Sequence, residues 1–192
     1  MSQLDRRRTL SLRQQWRVFD KQNSAPKSYL DLCGRMLQVG EFLLAHDVAK
    51  EGLKKHRSDR ALSQRAAHAL CKAGSPMMAT NILEDLVSSG VRDVETQSLL
   101  ASAYKDLCEY STDPNNKNQY AELAIFRYKE AFSAQLDASE SGEENLESQY
   151  YPCINVAFMH FVSHNLPKAH KYAEFARQIC RTIRERGEGS YW

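Results

Sequence analysis

A spacing of 34 residues governs the middle of this chain. Gly40 and Gly74 lie 34 residues apart, and each stands five residues before an alanine, Ala45 and Ala79. The same step aligns Leu32 with Ala66 and Leu100, then Cys33 with Ala67 and Ala101, then Met36 with Leu70 and Tyr104. Within one unit, apolar residues recur at intervals of three and four, as in Leu62, Ala66, Ala69, Leu70 and Ala73, which is one face of a helix. Breaks suited to ending or starting helices fall at Ser24-Ala25-Pro26, Gly40, Gly74-Ser75-Pro76, Gly90, Asp113-Pro114-Asn115-Asn116 and Asn165-Leu166-Pro167. Alternating β-branched runs are nearly absent, so the pattern demands helices that bury one face each.

A 34-residue period that places a large apolar residue, a small one, and a larger residue three positions on is the tetratricopeptide length. The small column lets the first helix of a pair approach the second, and the alanine of the second helix does the same from its side. The predicted fold is all-α: antiparallel helix pairs stacked in a right-handed superhelix, about four repeats with an N-terminal capping helix. The chain reads as one helical-repeat domain over residues 1–192, with repeats at 26–58, 60–90, 94–136 and 149–186. Residues 1–23 form an arm and the capping helix, which carries Leu12, Trp16 and Phe19 on one side. Residues 187–192 begin a possible further helix. The third repeat requires an insertion, expected as an enlarged turn around Ser111 to Asn118, before Ala124, Tyr128 and Ala131 resume the pattern. The polar stretch Asp137 to Glu147 is expected as a mobile loop. The fourth repeat places Val156, Ala157 and His160 in its first helix and Ala169, Ala173 and Ala176 in its second.

Charge narrows the function classes. The 26 Lys and Arg nearly balance 24 Asp and Glu, for a net charge of +2. No global field favours nucleic acid or membrane. No apolar run approaches the roughly 20 residues needed to span a bilayer, and no apolar segment follows the N-terminal arginines as a secretory signal requires. Cys33, Cys71, Cys108, Cys153 and Cys180 are widely spaced, form no C-x-x-C pair, and read as small buried hydrophobes in a reducing, cytoplasmic compartment.

Two segments resemble a particular kind of tetratricopeptide protein. Asp93 to Asp106, with Leu99-Leu100-Ala101 and Tyr104-Lys105-Asp106, is similar to the stretch "ETLGLLGRIYKD". Tyr150-Tyr151-Pro152-Cys153-Ile154-Asn155-Val156-Ala157 is similar to "YYPGINAA". Both belong to the TRAF-binding tetratricopeptide region of the apoptosis-signal-regulating kinase kinase kinases and its bacterial relatives. The resemblance covers roughly residues 60 to 192. It implies a regulatory protein-interaction module with no catalytic residues of its own. Cys153 stands where that family has glycine and Gln97 where it has leucine. The kinase domain is not part of this sequence, so kinase activity is not expected. Gly189-Ser190-Tyr191-Trp192 resembles the opening of a further helix, as in a shortened chain or one whose last aromatics pack back on the fourth repeat.

Catalytic patterns do not emerge. His160 and His164 stand four apart, a spacing able to hold a metal, but no glutamate follows the first histidine and no third ligand is evident. Walker A, G-x-G-x-x-G and G-x-S-x-G sequences are absent. The reading is therefore of a non-enzyme that takes no cofactor and no metal.

In a superhelix of this kind the first helices line the concave face. The repeat phase puts Lys27 and Asp31 there in the first unit, and Gln64, Arg65, His68 and Lys72 in the second. Glu95, Ser102, Lys105 and Asp106 follow in the third, then Tyr151, Asn155 and Phe158 in the fourth. Arg65 and Lys72 suit an acidic peptide, Asn155 its backbone, and Tyr151 or Phe158 its apolar side chains. A clamp for a C-terminal carboxylate would need lysine and asparagine where Leu30 and Gly34 stand. The leading reading is a scaffold binding a protein or peptide partner in a signalling or bacterial defence assembly. The alternative is a helical-repeat nucleic-acid binder using Arg6, Arg7 and Arg8 with the basic last helix.

Overall fold

A computed structural model describes residues 12–140 and 146–187 of the chain. The Gly189–Trp192 end and the Arg6–Arg8 cluster lie outside the described residues. Every element among the described residues is helical or a turn. The molecule divides after Ser89 into two compact units.

The first unit opens with a short helix, α1 (residues 12–17). Two helix pairs follow: α2 (Pro26–Gln38) with α3 (Phe42–Lys55), and α4 (Arg60–Lys72) with α5 (Pro76–Ser88). Their starts are written locally. Pro26 and Pro76 sit in the first helical turn, where a missing N–H costs nothing. The Asp59 carboxylate caps α4 by accepting from the Leu62 N–H at 2.8 Å. The two turns inside the pairs close alike. Gly40 and Gly74 adopt left-handed φ of 82° and 79°, and the next residues return N–H bonds to Met36 and Leu70 carbonyls, both at 2.9 Å.

The helical faces then meet. Tyr29, Leu32, Cys33 and Met36 of α2, Ala45, Val48 and Ala49 of α3, and Leu62, Ala66 and Ala69 of α4 form one core. Leu12, Trp16 and Phe19 pack against it from α1 and the residues after it. The Tyr29 ring lies fully inside, edge-on to Phe19 at 4.8 Å between centroids, with its hydroxyl donating to the Lys21 carbonyl at 3.0 Å. Burying an aromatic of this size contributes about 1.5–3 kcal/mol. Gly52 makes the close approach possible, since a Cβ there would stand 3.0 Å from both Tyr29 Cγ and Leu62 Cδ1.

The second unit holds α6 (Val94–Tyr110), α7 (Pro114–Glu140), α8 (Leu146–Val162) and α9 (Leu166–Arg186). Each packs on the next in sequence. Asp93 caps α6 through both carboxylate oxygens, one accepting from the Thr96 N–H and the other from its hydroxyl. The small columns are buried again: Ala101 in α6, Ala124 and Ala131 in α7, Val156 in α8.

Three expectations change here. The insertion of the third repeat is helix rather than an enlarged turn: α6 has 17 residues and α7 has 27, against 13 or 14 for each of α2 to α5. Asp113 accepts from the N–H groups of Asn115 and Asn116, and Pro114 opens the helix, so the Asn- and Lys-rich stretch forms its exposed first turns. Polarity there meant solvent exposure, not irregular backbone. The acidic stretch is likewise helical at both ends, since α7 runs to Glu140 and α8 starts at Leu146, while residues 141–145 lie outside the described residues. Ala173 is exposed although Ala169 and Ala176 beside it are buried, because its side of α9 faces an open groove rather than α8.

One turn departs from the glycine rule. His164 occupies in the fourth repeat the place of Gly40 and Gly74, with φ of 56°. Asn165 N–H bonds the His160 carbonyl at 2.8 Å, the same closure made after those glycines.

Candidate functional site

Three helices of the second unit converge on one polar cluster. Lys105 of α6 donates from Nζ to Asn155 Oδ1 of α8 at 3.0 Å. The other end of that amide, Nδ2, donates to the Tyr151 carbonyl one turn back at 2.8 Å. Asn155 is buried and both its polar atoms are engaged, so it acts as a strut that fixes the Lys105 ammonium. Two of the three ammonium donors of Lys105 remain outside this bond, and the side chain is only half-buried.

Tyr128 of α7 lies under this pair. Its ring meets that of Tyr151 edge-on at 6.1 Å, and its hydroxyl faces those of Ser102 and Tyr151. Burial, then the Tyr151 hydroxyl, pushes the Tyr128 phenol far above its ordinary range, and Asp106 adds in the same direction. The hydroxyl is wholly enclosed and closes no full hydrogen bond with either neighbour. Tyr151 itself is exposed. The structure thus brings together Ser102, Lys105, Asp106, Tyr151 and Asn155, as a half-open cationic and aromatic surface over a buried phenol. Tyr128 reads from sequence only as a packing position; burial of a tyrosine at a helix–helix contact was legible, but not what its hydroxyl would face.

Phe158, also on α8, is half exposed. It lines an open apolar groove of about 630 Å³ between α8 and α9 with Ile154, Ala157, Phe161, Leu166 and Ala173.

The remaining candidates belong to the first unit. Arg65, His68 and Lys72 share one side of α4 at intervals of three and four. Arg65 and His68 are half-buried and Lys72 is exposed. Burial, followed by the charges of Lys72 and Arg65, holds His68 below the ordinary imidazole range, so it is a neutral donor between two cations. Lys27 and Asp31 are exposed and Gln64 is half-buried, while Glu95, which lies on α6 in the second unit, is exposed.

Cysteine chemistry finds no support in these surroundings. Cys33, Cys108 and Cys153 are buried, while Cys71 and Cys180 are partly open rather than buried as expected. Burial pushes the Cys33 thiol up to about 12 and the Cys153 thiol to about 11, keeping both protonated. His160 is buried against the Tyr172 ring, while His164 forms the strained turn after it.

The model of the family named "Tetratricopeptide Repeats-Sensor" matches residues 42–160, well over half of the chain and every candidate residue from Arg65 to Phe158. The chain belongs to the TPR-S family. No curated protein is significantly similar to it in sequence. Among solved structures, MamA from residue 41 to its end, of Desulfovibrio magneticus RS-1, is similar with a TM-score of 0.63 and 15% identity, over 95% of this chain and 98% of that one. A MamA RS-1 double mutant gives a TM-score of 0.62 at 15% identity, covering 95% and 97%. TTC0263, a thermophilic TPR protein of Thermus thermophilus, gives 0.54 at 19% identity, covering 84% and 96%. At these identities the likeness is one of fold, and it agrees with stacked helix pairs in this TPR-S chain. Among the described residues, no helix is long and apolar enough to cross a membrane.

Proposed function

We propose that this TPR-S chain is a non-catalytic regulatory scaffold that binds a protein partner on the first-helix side of its repeats. The observation that carries this reading is the Lys105–Asn155 strut across α6 and α8, which ties an ammonium to the helix that carries the exposed Tyr151. A fixed cation and an exposed aromatic suit a peptide with an acidic residue flanked by apolar ones. Arg65, His68 and Lys72 supply a second cationic stretch of matching character. The resemblance of the Tyr104-Lys105-Asp106 and Tyr150 to Ala157 segments to kinase-regulating repeats supports a signalling or bacterial defence setting.

The test is photo-crosslinking in the source cell from a benzoylphenylalanine placed at Tyr151. A protein adduct that disappears when Lys105→Glu is added, and weakens with Arg65→Glu/Lys72→Glu, is the expected result. Removing a central contact of this kind weakens binding by about tenfold or more. A nucleic-acid adduct that declines steeply with salt, or a protein adduct indifferent to Lys105, refutes the reading.

A further inference from the structure

A second charged cluster gathers lysines of α7 and α9. Its floor is aromatic: Tyr172 and Phe175 of α9 meet edge-on at 6.1 Å. Lys129 of α7 places its ammonium over the Tyr172 ring at 5.4 Å, and Lys171 places its own over Phe175 at 5.8 Å. Lys168 stands one turn before Tyr172. Burial first, then repulsion from the charges of Lys168 and Lys171, holds the Lys129 ammonium below its ordinary range. None of the three lysines has a carboxylate partner among the described residues, and Glu174 nearby is taken by Arg177. The first turn of α9 carries no acidic residue, so the positive end of the helix dipole adds to the same unbalanced field.

An independent feature points to the same place. His160 of α8 is stacked on the Tyr172 ring at 5.8 Å, is about 95% buried, and leaves Nε2 without any hydrogen-bond partner. Burial and then the charges of Lys129 and Lys168, again repulsive, disfavour its protonation. Two ammonium groups seated on aromatic rings, a third one turn away and an orphan imidazole nitrogen make an unbalanced donor set that a bound dianion would satisfy.

We propose that Lys129, Lys168 and Lys171 form an oxyanion site on the α7–α9 side of the second unit, matched to a phosphate monoester, with His160 Nε2 as its inner donor. The ligand is either free phosphate or a phosphate carried on a partner's side chain. The site is separate from the Lys105–Asn155 surface and stands or falls without it.

The experiment follows the histidine ring signals of the full chain by NMR during titration with inorganic phosphate, and separately with a phosphoserine peptide that is otherwise uncharged. The His160 signal is assigned by its loss in His160→Gln. The expected result is a saturable shift of that signal and an upward move of its titration midpoint with phosphate present, with the affinity falling about tenfold in Lys129→Gln and again in Lys168→Gln. Lys168 is exposed and Lys129 half-buried, and circular dichroism confirms that the helices persist in both variants. Tighter binding of the peptide assigns the phosphate to a protein partner, and equal binding assigns it to free oxyanion. A His160 signal unmoved by either probe, moved equally in the lysine variants, or moved only by a single-stranded oligonucleotide overturns the proposal.

Discussion

Replacing Gly52 by alanine sets two effects of known size against each other. Alanine in place of glycine inside a helix gains about 1 kcal/mol. Against this, the new Cβ of α3 would stand 3.0 Å from Leu62 Cδ1, 3.0 Å from Tyr29 Cγ and 3.2 Å from Tyr29 Cδ1. Carbon atoms settle at about 3.5–4.0 Å, so the neighbours must retreat by about half an ångström or more. The Tyr29 ring has little room to do so: it is edge-on to Phe19 at 4.8 Å, faces His56 at 6.3 Å, and is tied by its hydroxyl to Lys21. Leu62 is fully buried as well. Overpacking of a core costs about 1–3 kcal/mol, which set against the helical gain of about 1 kcal/mol leaves a net loss of up to about 2 kcal/mol. Gly34 in α2 is the control, because nothing lies within 4 Å of a Cβ placed there. Gly34→Ala carries the same change in unfolded-chain entropy and is expected to stabilise by about 0.5–1 kcal/mol. Urea unfolding of both variants, compared at equal m-values, reads the difference directly. If Gly52→Ala proves as stable as Gly34→Ala, the Tyr29 ring is not held as argued and the reasoning fails.

Three further outcomes are expected. His164→Gly removes a left-handed conformation that costs an L-residue about 1–2 kcal/mol, offset by about 0.5–1 kcal/mol of glycine entropy. The melting temperature is expected to rise by about 2–4 °C, and a fall shows that the His164 side chain contributes more than its backbone costs. Gln97 is buried in α6 with both amide atoms unpartnered, so Gln97→Leu is expected to stabilise by about 1–2 kcal/mol in denaturant titration, whereas a loss would reveal a bound water or partner for that amide. Burial, first, and neighbouring cations hold both His68 and His160 below the ordinary imidazole value. The folded state therefore binds fewer protons than the unfolded chain as pH falls through about 6.5; stability is full above that value and declines below it. Thermal melts between about pH 7.5 and about pH 5.5 should show that decline, with a shallower slope in His68→Gln; an unchanged slope would remove His68 as a cause.

Much of this fold could be read from local chemistry. Gly40 and Gly74, and Pro26 and Pro76, act within a few residues of themselves, so with the 34-residue step they placed the breaks of the first two helix pairs from pattern alone. The buried columns Leu32, Ala66, Leu100 and Cys33, Ala67, Ala101 followed from helical periodicity, because the face that repeats is the face that must leave water. Local chemistry misled where it carried only polarity: the stretch after Ser111 reads as a turn, and exposed helix is equally polar.

What pattern could not supply was pairing across distance. That Asn155 would spend both ends on Tyr151 and Lys105, 50 residues away, depends on the separation of α6 and α8. The same holds for Lys129 meeting the Tyr172 ring and for His160 losing every partner for its Nε2. Helical period determines which side chains share a face, and it does so from sequence alone. Which faces then approach, and at what distance two polar groups bond or repel, is decided by packing of whole helices, and only the tertiary structure records it.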